Sequence, residues 1–174
     1  KPDYTEAHSN LGNALKELGQ LDAAVKCYEK ALAINPDYVE AHNNLGVTLK
    51  DLGQLDEAVK CFENALAIKP DYAEAHNNLG LTLQDLGQLE VAVKRYEKAL
   101  AIKPDYADAY ANRGDVLKDL ERLDEAMASY ESAIALNPDL DFILGDSLST
   151  KMHLCIWDDL ASRLNELAKK IKNG

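Results

Sequence analysis

Ala7, Leu11, Ala14, Leu15 and Leu18 recur at steps of three and four, the spacing of one face of an α-helix. Gly19 follows, where a helix end tolerates a left-handed residue. A second apolar stripe, Ala24, Val25, Tyr28, Ala31 and Leu32, starts near Leu21 and Asp22 and stops at Asn35-Pro36. It stops there because the residue before proline is pushed out of the helical region and proline cannot donate to the ladder. Both stripes return with a fixed period. Pro2, Pro36, Pro70, Pro104 and Pro138 are 34 residues apart, and residues 39–72 and 73–106 agree at 26 of 34 aligned positions. Such a period predicts an all-α array of antiparallel helix pairs, each unable to bury its apolar face alone. An array of this kind offers a long repeating surface rather than one pocket.

The period divides the chain into helix pairs at 5–38, 39–72, 73–106 and 107–140. Residues 1–4 read as the end of a further repeat upstream, and residues 141–174 as a degenerate repeat whose helices cap the array. Lacking an initiator Met and a terminal signature, the chain reads as a piece of a longer protein, with cut ends that could self-associate. Asp37 with Glu40 predicts a capping box for each following first helix. Gly12, Gly46, Gly80 and Gly114 lie inside first helices, where glycine costs roughly 1 kcal/mol against alanine. The recurring Ala24, Ala58, Ala92 and Ala126 are the expected close partners of these glycines. The fourth unit departs from the others, with Arg113 at a leucine position and Glu121 at the turn glycine.

Charge and chemistry narrow the picture. A net charge of −11 disfavours nucleic-acid phosphates and anionic membranes and favours a basic partner. Three cysteines, Cys27, Cys61 and Cys155, form no disulfide framework and point to reduced thiols in the cytoplasm. No apolar run nears the roughly 18 residues of a membrane span, and no signal peptide opens the chain. No metalloprotease, C-x-x-C, nucleophile-elbow or phosphate-loop motif is present, so no cofactor and no catalysis are expected. His8, His42 and His76 stand one per repeat on helices about 10 Å apart, too far to share a metal, and read as packing residues. His153 and Cys155, two apart on a helix, point to different sides.

Leu11-Gly12, Leu15, Ala24, Tyr28, Ala31 and Pro36, with their repeats, resemble the tetratricopeptide-repeat (TPR) pattern. That resemblance implies about four full repeats wound into a right-handed superhelical solenoid, with first helices lining the concave side. In that geometry the sixth position of each unit, Asn10, Asn44, Asn78 and Asn112, faces the groove. Asparagine is a mediocre helix former, so four mid-helix placements ask for a reason. An amide there presents donors and an acceptor to the backbone of an extended peptide; the alternative is that it bonds its own neighbouring repeat. Asn43 and Asn77 flank this row as weaker candidates. Glu40, Asp51, Glu74 and Asp85 belong to acidic rows on the same face, which would prefer a peptide carrying Lys or Arg. The clamp for a chaperone C-terminal carboxylate is excluded, since the matching places hold Ser9, Glu74 and Asn78.

Past Pro138 the repeat decays. The stretch Lys151 to Asp158, with Cys155-Ile156-Trp157-Asp158 and the following Leu160 and Leu164, is similar to the segment that joins repeats to the catalytic domain in O-linked N-acetylglucosamine transferases. The resemblance implies a non-catalytic, substrate-presenting part of a protein O-glycosyltransferase. The other reading is a free-standing TPR scaffold.

Overall fold

A computed structural model describes residues 3–138, 143–154 and 168 of the chain. The described residues form helices and turns: α1 (Asp3–Glu17), α2 (Leu21–Ile34), α3 (Val39–Asp51), α4 (Leu55–Ile68), α5 (Ala73–Asp85), α6 (Leu89–Ile102), α7 (Ala107–Asp119), α8 (Leu123–Leu136) and α9 (Ile143–His153). They fall into two compact units, residues 1–88 and 89–174. In the first, α2 packs on α1 and α3, and α4 on α3 and α5; in the second, α7 packs on α6 and α8, and α9 on α8.

The glycines explain how two helices of a pair approach. A Cβ added to Gly12 would sit 2.6 Å from the Tyr28 ring, one on Gly46 2.8 Å from Phe62, and one on Gly114 2.5 Å from Tyr130. Each glycine therefore faces the aromatic ring sixteen positions later, not the alanine twelve later that spacing suggested. Tyr28, Phe62 and Tyr130 are nearly or wholly buried by this contact. The ring is the large apolar payload of the pair, and the helix that meets it must be bare at that point.

First helices end as expected. Gly19, Gly53 and Gly87 take φ of 73°, 75° and 72°, and Glu121 holds the same left-handed conformation at 58° without glycine's freedom. Gly53 N–H bonds the Lys50 carbonyl and Gln54 N–H the Leu49 carbonyl; Glu121 and Arg122 repeat the pair on Lys118 and Leu117. This is the Schellman pattern, which satisfies orphan carbonyls.

The helix starts differ from expectation. Tyr38 is the N-cap of α3 and makes no side-chain cap bond, so the Asp37–Glu40 capping box does not form. The turn is held differently. Asn35 Oδ1 accepts from the Asp37 N–H at 3.2 Å, and the Tyr38 N–H bonds the Asn35 carbonyl. That leaves Asp37 one position too early to cap.

α9 lies against α7 as α3 lies against α1 and α5 against α3, in the place of one more first helix. Thr150 Oγ1 bonds the carbonyl of Asp146 at 2.8 Å, as Thr48 bonds Asn44 and Thr82 bonds Asn78. The amphipathic helix expected through Leu160 and Ile171, with Cys155 and Trp157, lies outside the described residues.

Candidate functional site

The sixth-position asparagines sit on α1, α3, α5 and α7. Asn10 is exposed, and Asn44, Asn78 and Asn112 are half-buried. Asn44 Nδ2 donates to Asn13 Oδ1 of the preceding repeat at 3.0 Å, and Asn78 Nδ2 donates to Asn43 Oδ1 at 3.1 Å. Asn13 Oδ1 also accepts from Tyr28 Oη at 2.7 Å. Within the first unit the row is thus stitched from repeat to repeat, as the alternative reading of these residues proposed. One amide donates through two N–H groups and accepts through its carbonyl, so a single bond leaves capacity for a ligand.

The flanking candidates divide from the row. Asn43 and Asn77 are only 6% and 4% exposed. Asn43 accepts from Asn78 and donates weakly to Asn44 Oδ1 at 3.4 Å, so its amide is engaged within the row. Among the acidic candidates, Glu40, Asp51, Glu74 and Asp85 are all exposed. Asp85 meets Lys50 of the preceding repeat at 3.3 Å, an accessible pair that salt will screen.

Sequence reading missed the next rung, which counting 34 onward from Asn112 would have found. Asp146 occupies it, with its carboxylate 2.7 Å from Lys118 Nζ. Beside it, Tyr130 Oη donates to Asp115 Oδ1 at 2.8 Å. Burial pushes the Asp115 carboxyl above its ordinary range against the lowering effect of the Tyr130 bond, and the charges of Asp146 and Asp119 push the same way. Burial, then the Asp115 charge, raises the Tyr130 phenol well above its usual value.

The histidines have a structural role sharper than filling space. His42 Nε2 donates to the Pro36 carbonyl at 2.8 Å and His76 Nε2 to that of Pro70 at 3.0 Å, tying each first helix to the turn before it. A carbonyl can only accept, so the bond fixes the tautomer with hydrogen on Nε2. Among the described residues no group of three His, Cys, Asp or Glu side chains could hold a metal. Cys27 and Cys61 are free thiols, and burial pushes Cys61 up to about 11, which keeps it unreactive at neutral pH. No helix among the described residues is long and apolar enough to cross a membrane.

Helix pairs locked by glycine against an aromatic ring and repeated every 34 residues define a helical-repeat interaction scaffold. The tetratricopeptide-repeat pattern matches residues 37–105 and 71–139, and a second TPR pattern matches residues 12–53. The chain belongs to the tetratricopeptide-repeat family. Among solved structures it resembles MamA, with 25% identity, a TM-score of 0.83, and 92% of this chain covering 96% of that one. MamA 41-end from Desulfovibrio magneticus RS-1 gives a TM-score of 0.86 at 19% identity, over 98% of this chain and 97% of that one. YrrB, described as a TPR protein with an unusual peptide-binding site, gives 0.73 at 22% identity, over 91% and 81%. No curated protein matches. None of these relatives carries the resemblance to O-linked N-acetylglucosamine transferases.

Proposed function

We propose that this chain is a free-standing TPR scaffold that holds an extended polypeptide against its first helices. The observation that supports it most is the row Asn10, Asn44 and Asn78 in the first unit, with Asn10 exposed and the half-buried Asn44 and Asn78 braced by Asn13 and Asn43. Rigid amides supported from behind suit the reading of peptide backbone. Rungs about 10 Å apart, against about 3.3 Å per extended residue, match one rung to roughly three ligand residues. Each such bond contributes roughly 0.5–1.5 kcal/mol, so binding is weak and reversible. The exposed acids Glu40, Asp51 and Glu74 tilt the preference toward ligands with Lys or Arg.

A role in presenting substrate to an O-glycosyltransferase rests on the Cys155–Asp158 wording alone, so the scaffold reading is preferred. Self-association belongs to the same reading, through the α1 stripe of Leu11 and Leu18, which are 50% and 71% exposed.

The test is titration of the chain with a randomised peptide library at low and high salt. Backbone reading predicts binding that persists in salt, with a salt-sensitive increment for basic peptides. Asn44→Ala with Asn78→Ala should weaken binding about tenfold, with helicity checked by circular dichroism because both residues also link repeats. Undiminished binding by a folded double variant would rule this face out.

A further inference from the structure

A cavity of about 310 Å³ lies in the first unit, between the turn from α2 to α3 and the end of α4, lined by Pro36, Asp37, His42, Asn64, Ala67 and Ile68. Pro36, Ala67 and Ile68 make its apolar wall, and the Asp37 carboxylate is its one formal charge. That carboxylate does not cap α3, because Tyr38 holds the N-cap position. It makes no hydrogen bond or ion pair among the described residues, and neither does the Asn64 amide. The His42 ring keeps its hydrogen on Nε2, against the Pro36 carbonyl, and its Nδ1 is buried without a donor. The lining therefore offers acceptors and no positive charge. Lys69, next along the chain, is turned over the Tyr72 ring, 5.0 Å from its centroid. The last turn of α4 carries no basic residue to face its carbonyl end.

The sibling repeats show what is missing. Asp3, Asp37, Asp71 and Asp105 recur at one position, and the residues that follow each at a constant offset are Lys30, Asn64, Lys98 and Ser132. Two siblings thus bring a lysine to this place, while the second unit keeps the aspartate and has lost the lysine. In the fourth unit Tyr110 stands in place of the histidine, with the Arg113 guanidinium 5.4 Å from its ring.

We propose that this cavity binds a primary alkylammonium, the head of a partner's lysine side chain or of a small amine. Its charge pairs with Asp37, an N–H donates to Asn64 Oδ1, and its methylene stem lies along Pro36, Ala67 and Ile68. The negative end of the α4 dipole favours the same sign. One uncommitted carboxylate calls for one positive charge, so acids and phosphates are rejected. The cavity is lined mostly by exposed residues, so binding is weak and falls with salt.

The test is an NMR titration of the full 174-residue chain, ¹⁵N-labelled, at low ionic strength, with n-butylammonium and with 1-butanol, a neutral counterpart of equal length. The amine should produce saturable shifts at amides from Asp37 to His42 and from Ala67 to Lys69. The alcohol should bind about two- to fivefold more weakly, the worth of an exposed ion pair, and Asp37→Asn should weaken the amine by the same factor. Asn64→Lys restores the residue of the sibling repeats, so it keeps the fold, and it should abolish the shifts by filling the cavity with the chain's own cation. A capped tripeptide with a central lysine identifies the source. Tighter binding than n-butylammonium assigns the site to a partner chain, and equal or weaker binding assigns it to a small amine; both uphold the site. Equal affinity for amine and alcohol, unchanged shifts in Asp37→Asn or Asn64→Lys, or no shift at these amides overturns it. None of the lining residues belongs to the asparagine row, so failure here leaves the scaffold reading standing.

Discussion

The pairs α3–α4 and α7–α8 are built on one plan with different chemistry inside. In α3–α4 the ring against Gly46 is Phe62, and the position one after the glycine is Val47. In α7–α8 the ring against Gly114 is Tyr130, and the corresponding residue is Asp115, which takes its hydroxyl proton. The pair α1–α2 follows the second rule, with Tyr28 donating to Asn13. In α1–α2 and α7–α8 the buried phenol has a polar acceptor fifteen residues earlier, and in α3–α4 the phenyl ring has an apolar residue there; the third repeat, with a buried Tyr96 and Leu81 at these positions, shows that an acceptor there is not obligatory. The steric lock is shared by these three pairs, and two of them add a polar supplement to it.

The comparison breaks most sharply at the lock itself. Gly46→Val pushes a branched side chain into Phe62 and should cost about 3 kcal/mol, measured by urea denaturation. Phe62→Leu in the same chain should recover part of that loss, because the two changes share one contact. Next in size is the supplement. Tyr130→Phe leaves the Asp115 carboxylate without its donor, and Phe62→Tyr sets a hydroxyl against Val47; each should cost about 1–3 kcal/mol. Adding Val47→Asn to Phe62→Tyr should restore stability toward the parent.

The turn gives a smaller difference of opposite sign. Glu121→Gly relieves a left-handed non-glycine residue and should raise stability by about 0.5–1 kcal/mol, while Gly53→Glu should lower it by a similar amount. The smallest effect is a pH dependence. The Asp115 carboxyl titrates above its ordinary 3.8 in the folded chain. Its contribution to stability is therefore present at acid pH and lost as pH rises through the folded value. Asp115→Asn keeps an acceptor for Tyr130 but no longer ionises. The variant should match the parent near pH 3 and exceed it at pH 7 by on the order of half a kcal/mol, seen as a higher Tm.

Helix boundaries were legible in the sequence because their signals are local. Gly19 and Asn35-Pro36 act on their own backbone, and the helices end where these residues say. Partners were not legible where through-space geometry decides. Twelve residues separate Gly12 from Ala24 and sixteen separate it from Tyr28, and periodicity alone does not choose between them. The capping box failed because a one-residue offset at Tyr38 is invisible to a pattern read in steps of three. At the candidate site, spacing aligned the asparagines but not their bonds to Asn13 and Asn43. Arg113 and Glu121 stood out as exceptions in the fourth unit, though nothing in the linear text showed that Tyr110 and Ser129 lie against Arg113.

The contact between glycine and ring closes inside a single stretch of 34 residues. A gene duplication that copies one such stretch therefore copies the cleft and its filling side chain together. A new copy arrives with its helix pair already matched and can later diverge at exposed positions without first repairing its interior. Residues 39–72 and 73–106, still alike at 26 of 34 positions, are what such copying leaves behind. The fourth unit, with glycine and ring intact and much else rewritten, shows how far divergence can proceed while that contact holds.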